Sequence, residues 1–202
     1  MPYRIVPILE GQGDVAAVPV LLRRLIGELN PPAVIDIGRP IQRPRGTLVR
    51  QGGIEAAVEL AAIAMGQSGA ILVLIDSDDD CPRDLAPALS ARARSARSDR
   101  RISVVLAHRE YEAWFLASAS SLRGVHRLSA DIPDHANPES VRNCKDELKK
   151  WLPPASTYSP TADQAALTAK FDLSLARRAP SFDKFWREVE GICRHALAVE
   201  QD

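Results

Sequence analysis

The chain has 202 residues, 46% hydrophobic and 26% charged, which suits one large globular domain or a domain with an appendage. Lys plus Arg and Asp plus Glu number 26 each, so overall charge advertises no polyanionic partner, and any basic surface must come from local clustering. Cys81, Cys144 and Cys193 are widely spaced and odd in number, no apolar run approaches the ~20 residues of a membrane span, and the N-terminus lacks the apolar core of a signal peptide. These features exclude a disulfide framework, a cysteine-rich zinc site and a membrane span, and they point to a cytoplasmic protein.

Tyr3 to Leu9 reads as a first strand, with Pro7 better suited to an edge or a bulge. A helix is expected from about Asp14 to Leu29, where Val18, Leu21, Leu22, Leu25, Ile26 and Leu29 recur at helical spacing before Asn30-Pro-Pro32 stops it. Ala33 to Ile37 is a short second strand, followed by a loop to about Val49 and a helix over about 53–67. Ile71 to Ile75 is too short for a helix of ordinary length and reads as a strand buried on both faces. A helix from about Pro82 to Arg97, a strand from Ile102 to Ala107 and a helix through His108–Ala117 complete a β-α-β-α-β-α-β-α alternation. That alternation implies a mainly parallel sheet of about four strands flanked by helices, with right-handed crossovers. Beyond Ser118 the pattern changes. Residues 122–137 are loop-like, and helices are expected over Pro138–Trp151, about Thr161–Arg178 and Phe182 to about Ala198, where Ser181 and Asp183 signal the start. The expected division is an α/β domain over 1–120 and a helical C-terminal extension over 121–202 packed on it.

The third strand breaks abruptly into Asp76-Ser-Asp78-Asp79-Asp80. Ligand sites of open α/β sheets lie beyond the carboxyl ends of the strands. Carboxylates at i and i+2 there repel unless a hard cation such as Mg²⁺ or Mn²⁺ sits between them. A helix cap before Pro82 would account for Asp80 and leave the other three aspartates without a role. The first strand ends in Glu10 and Asp14, and the fourth in Glu110 and Glu112. Neighbouring parallel strands are ~5 Å apart, so these acids can converge on one or two cations. Gly11 and Gly13 would let the backbone approach a metal or phosphate. Asp14, Glu110 and Glu112 also suit the first turns of helices, where the dipole favours acids with no ligand present.

Glu10-Gly-x-x-Asp14 followed by Asp76-x-Asp78 resembles the two signatures of Toprim domains, in the form found in nucleases of the overcoming-lysogenisation-defect (OLD) type. With His108-Arg-Glu-Tyr-Glu-Ala-Trp-Phe-Leu-Ala117, Tyr158-Ser-Pro-Thr-Ala-Asp-Gln164 through Lys170, and Ser181-Phe-Asp-Lys-Phe185, the chain resembles the DUF4276 family of Toprim-like proteins over nearly its whole length. The resemblance implies Mg²⁺-dependent phosphodiester chemistry, often beside an ATPase in mobile-element defence. It implies Glu10 as general acid/base or as a bridge between metals. Asp76 and Asp78, with Asp80 as a further candidate, would hold one Mg²⁺. Asp14 and one of Glu110 or Glu112 would hold a second, ~4 Å away. Glu110 and Glu112 cannot share a helical face, so one is expected to point inward, and Glu112, in the motif before Trp114, is chosen.

Arg39, Arg43, Arg45 and Arg50 follow the second strand and are expected on the same sheet edge as the acids, where Arg would suit a phosphate; a solvated loop is the plainer alternative. Arg92, Arg94, Arg97, Arg100 and Arg101 fit a helix C-terminus without any ligand. Lys170 and His108 are further candidates for a phosphate contact. Trp114, Phe115, Trp151, Phe182, Phe185 and Trp186 are assigned to packing. The leading expectation is a metal-dependent nuclease acting on nucleic acid. The alternatives are a non-catalytic subunit docking on an ATPase, or a phosphohydrolase of small substrates. An Asp-x-Asp after the third strand, not the first, counts against a haloacid-dehalogenase-type phosphatase.

Overall fold

The computed structural model describes residues 2–200. Its elements in order are β1 (Tyr3–Leu9), α1 (Gln12–Leu29), β2 (Ile35–Ile37), β3 (Ile41–Gln42), α2 (Arg45–Val49), α3 (Gly53–Met65), β4 (Gly69–Asp76), α4 (Pro82–Ala96), β5 (Arg101–Ala107), α5 (Ala113–Ala117), α6 (Cys144–Lys150), α7 (Ala165–Thr168), α8 (Leu173–Ala176) and α9 (Pro180–Glu200). The sheet is parallel throughout, in the order β2-β1-β4-β5, with β3 extending the β2 side of β1. It has five strands where about four were expected. The additional one, β3, lies with α2 inside the segment read as loop from Gly38 to Val49.

Pro7 corrects an expectation. It lies in an interior strand, between β4 on one side and β2 and β3 on the other. Arg4 donates its N–H toward β4, whereas Tyr3, Ile5 and Leu9 bond to the β2/β3 side. The missing N–H of Pro7 therefore faces that second side. There β2 has ended at Ile37 and β3 has not begun, so no ladder bond is forfeited.

Two layers of side chains sandwich the sheet. Ile71, Val73 and Ile75 of β4 face α3 and α4 with Val6, Ile8, Val104 and Leu106. Leu72 and Leu74 face the other side, where α1, α5 and α9 pack with the C-terminal segments. This alternation explains why β4 is apolar at every position from Ala70 to Ile75. The second layer is continuous from Tyr3 to Ala196, so the C-terminal extension shares its core with the sheet. Trp114 is fully buried at the junction; its ring lies against Tyr111, Phe182 and Phe185, and its Nε1–H donates to Ser181 Oγ at 2.8 Å.

The C-terminal helices are shorter than expected. The Pro138–Trp151 span is a 3₁₀ turn at Pro138–Ser140 followed by α6, because the buried Glu139 carboxylate is drawn to the start of α9, where it accepts the Ser181 N–H at 2.8 Å. Thr161–Arg178 divides into a π-helical turn (Pro160–Gln164), α7 and α8. Asp163 is pulled inward by Arg127 and His126, at 2.6 and 2.9 Å, and Asp172 opens α8 by accepting the Leu175 N–H at 2.8 Å. The helix expected through His108 is confined to α5. Before it Arg109 takes φ 65°, and the Tyr111 N–H is committed to Asp76 at 2.8 Å.

Truncating Trp114 to Ala removes an aromatic joining both halves of this core and orphans the Ser181 hydroxyl. Urea titration of Trp114→Ala should show a loss of about 3–5 kcal/mol, and the parent should unfold in one transition seen alike by fluorescence and circular dichroism.

Candidate active site at the strand ends

The carboxyl ends of β1, β4 and β5 lie side by side, because these strands are sheet neighbours in register. From β1, Glu10 stands before the glycine that opens α1, and Asp14 reaches back from the first turn to accept the Gly11 N–H at 2.9 Å. From β4, Asp76 donates its N–H to Glu10 Oε2 at 3.2 Å and accepts the Tyr111 N–H on Oδ1. From the turn after β5 comes Glu112, only 1% exposed. Glu10, Asp14, Asp76 and Glu112 line one cleft of about 270 Å³ with Lys145, Gln164, Pro160 and Thr161.

Three side chains from the C-terminal half bear on these acids, Lys145 and Gln164 in the cleft lining and Tyr158 through its bond to Glu112. The Lys145 ammonium lies 3.1 Å from Glu110 and 3.5 Å from Glu112. Gln164 Nε2–H donates to Asp14 Oδ1 at 2.8 Å, and the Tyr158 hydroxyl donates to Glu112 Oε1 at 3.0 Å. Gly13 permits this approach: a Cβ there would meet Gln164 Oε1 at 2.0 Å and Pro160 Cβ at 2.7 Å. Sequence reasoning passed over Lys145, and Tyr158 and Gln164 entered only as parts of a stretch that carried a resemblance, with no role assigned. Their partners are more than forty residues away for Tyr158 and 150 positions away for Gln164, a separation no local pattern reveals.

The cluster is under electrostatic pressure. Burial pushes Asp76 well above the ordinary carboxylate range, with Glu112 and Asp14 adding to it. Burial likewise raises Glu112, to about 7, against the opposing pull of Lys145. Burial raises Glu10, and nearby Asp78 and Asp14 push the same way. Asp14 is raised by burial although Gln164 and Gly11 donate to it. Burial works against the Lys145 ammonium, but Glu112, Asp76 and Glu110 more than offset it and hold its pKa above the usual lysine value.

The remaining candidates lie at the rim or outside. Asp78 and Asp80 both turn to Arg45, Asp78 at 3.4 Å. Arg45 also donates to the backbone oxygens of Asp76 and Ser77, at 2.9 and 3.2 Å. Arg45, expected to face a substrate, thus holds the aspartate loop in place. Glu110 and Glu112 both reach Lys145, but only Glu112, the one chosen from the sequence, lines the acid cleft. They lie in a turn before α5, so helical-face geometry does not apply to them. His108 Nδ1 is 3.3 Å from Glu139 Oε2. Arg43 donates to the neighbouring Gln42 carbonyl at 2.8 Å. Arg39 and Lys170 are exposed, line neither the cleft nor its rim, and form no side-chain hydrogen bond or ion pair among the described residues.

Among the described residues no three His, Cys, Asp or Glu side chains stand as a ready-made metal-holding group. The donor chemistry still fits a hard divalent cation: the acids are oxygen donors only, and their raised pKa values mark a surplus of negative charge that such an ion would relieve. No helix of the described residues is long and apolar enough to cross a membrane.

A carboxyl group whose pKa is raised on folding binds its proton more tightly in the folded chain. Its contribution is therefore most favourable below the ordinary Glu value of 4.5 and is lost as pH climbs through about 7. Without divalent ions, the melting temperature should fall across that window by roughly 5 °C. Glu112→Gln should flatten the profile, and added Mg²⁺ should raise the melting temperature more at pH 8 than at pH 5, since metal and protons compete for the same oxygens.

No curated protein matches the chain. Among solved structures, the chain is similar to the C-terminal region of the Burkholderia pseudomallei OLD protein, at 15% identity and a TM-score of 0.41, with 97% of this chain and 99% of that chain covered. The model of a domain of unknown function, DUF4276, matches residues 9–190, from the residue before Glu10 to well inside α9. That span takes in every residue of the cleft, and the chain belongs to the DUF4276 family.

Proposed function

We propose that the chain is a Mg²⁺- or Mn²⁺-dependent phosphodiesterase acting on nucleic acid, a Toprim-like nuclease. The observation that carries this reading is the convergence of Glu10, Asp14, Asp76 and Glu112 from three adjacent strand ends with one lysine among them. A scaffold has little use for four crowded carboxylates, each raised in pKa by its surroundings.

Asp76, Asp14 and Glu112 would hold the cation, with Glu10 beside them. When bound, such an ion polarises the phosphoryl oxygen and offsets the charge that develops in an in-line displacement. The remaining work falls to the chain. Glu10 is half-buried, is fixed by the Asp76 N–H and has a raised pKa, so it suits the transfer of a proton to or from water. Lys145 stays charged and would stabilise the charge that develops on a pentacoordinate phosphoryl group. Tyr158 and Gln164 hold Glu112 and Asp14 in one orientation, so less reorganisation is needed when substrate enters. A role in mobile-element defence and an ATPase partner are parts of this reading that rest on the family resemblance.

Calorimetric titration of Mg²⁺ and Mn²⁺ should show binding in the parent and none in Asp76→Asn. Incubation with supercoiled plasmid should show metal-dependent nicking by the parent, reduced at least 10²-fold in Asp76→Asn and in Lys145→Ala, since removing one charge-stabilising group costs about that much. Metal binding without nicking would point to a non-catalytic subunit or to another phosphate substrate. No metal binding would sink the enzyme reading.

A further inference from the structure

Next to the acid cleft, beyond Lys145, lies a second polar cavity of about 410 Å³ lined by Asp78, Asp79, Arg109, Glu110, Arg142 and Asn143. Its acids are not equivalent. Asp78 is engaged by Arg45 and Glu110 by Lys145. Asp79 is 82% exposed, and its partners are the two arginines of the cavity, Arg109 at 2.6 Å and Arg142 at 3.6 Å. Two guanidinium groups from different segments thus meet on one solvent-facing carboxylate.

Arg109 is held there by its backbone. It takes φ 65° opposite Asp78 at φ 49°, and the two loops are cross-bonded: Asp78 N–H to the Arg109 carbonyl at 3.0 Å, Arg109 N–H to Ser77 Oγ at 2.9 Å. Both Asp78 and Arg109 thus hold a left-handed conformation, which in non-glycine residues collects at ligand sites. Arg109 Nη1 serves Asp79 and the Asp78 carbonyl, while Arg109 Nε is buried with no hydrogen-bond partner among the described residues. The edge of the guanidinium that meets the cavity is therefore its Nη1 side, now taken by Asp79. Arg142 is 73% exposed and reaches Asp79 only weakly. It precedes Lys145 by three residues, so the same short segment that supplies the cleft's ammonium supplies this cation.

We propose that Arg109 and Arg142 form a phosphate subsite beside the acid cleft, in which the Asp79 carboxylate stands in for a backbone phosphate of the substrate strand. The identification of the ligand as a nucleic-acid strand rests on the functional reading above; the subsite itself rests on the two arginines and their shared carboxylate. Arg is suited to this role because its planar fork takes two phosphate oxygens at once. Asp79 makes the subsite competitive: a ligand must displace an exposed carboxylate that has no other partner.

The test is fluorescence anisotropy of a fluorescein-labelled single-stranded DNA dodecamer over a salt series, with calcium chloride replacing magnesium. Arg142→Ala and Arg109→Ala should each weaken binding several-fold and lower the slope of log affinity against log salt by about 0.7. Asp79→Asn should tighten binding, a change of sign that no loss of folding would produce. Arg142 is solvent-facing, so Arg142→Ala and Asp79→Asn carry the test even if Arg109→Ala proves unstable by circular dichroism. Equal affinities and slopes in the parent and Arg142→Ala, or weaker binding by Asp79→Asn, would overturn the subsite. A parent that ignores the dodecamer yet binds inorganic phosphate by calorimetry, with binding lost in Arg142→Ala, would overturn the nucleic-acid reading and assign the subsite to a small phosphorylated ligand.

Discussion

The structure depends on the way one carboxylate closes the central strand. Asp76 is the last residue of β4, and its backbone N–H is bound by Glu10 from β1 while its Oδ1 takes the Tyr111 N–H from the turn after β5. A single residue therefore ties together the ends of three neighbouring strands. The bond from the Tyr111 N–H sets the turn that delivers Glu112 to the cleft, and the bond donated to Glu10 orients the first acid. Burial makes Asp76 costly to ionise, and the neighbouring carboxylates add to that cost. What is unfavourable for the isolated fold is what a cation-dependent site requires: negative charge assembled in advance and held apart from water.

The C-terminal half completes this arrangement. Lys145 offsets part of the acidic surplus, and Tyr158 and Gln164 each donate one hydrogen bond to an acid. The π-helical turn that places Gln164 is anchored in turn by Asp163, buried against Arg127 and His126. The division into a sheet domain and an appendage is a description of sequence pattern. In packing, Trp114 and its aromatic neighbours join both halves in one apolar layer. That shared layer gives the polar contacts a rigid base.

The basic residues show how charge finds its partner. Arg45 lies close to the acids, as its position after the second strand suggests, but its guanidinium is used up by the Asp76 and Ser77 carbonyls and by Asp78 and Asp80. A run of aspartates needs a cation simply to adopt its loop. Beside the cleft, Arg109 and Arg142 share the exposed Asp79 carboxylate, the first inside a motif read for its acids and aromatics, the second in a segment read as mid-helix. Neither differs in local sequence from an ordinary surface arginine.

The sequence by itself determined the parallel α/β framework. A stretch of strand buried on both faces must be apolar, and Ile5–Leu9, Ala70–Ile75 and Val104–Ala107 of β1, β4 and β5 announce themselves that way, while α1 shows its 3.6-residue period. It also determined that acids cluster at the carboxyl ends of those strands, because an abrupt change from apolar to acidic is a local event. Only the tertiary structure decided which of those acids face one another. Asp76 and Asp78 are two residues apart, yet the left-handed turn at Asp78 sends one to the cleft and the other to Arg45. It also decided where Pro7 could sit within an interior strand, where the C-terminal helices break, and that Lys145, Tyr158 and Gln164 belong to the site. Those outcomes depend on hydrogen bonds and ion pairs between residues far apart in the chain, whose worth appears only once the packed layers have brought them within ~3 Å.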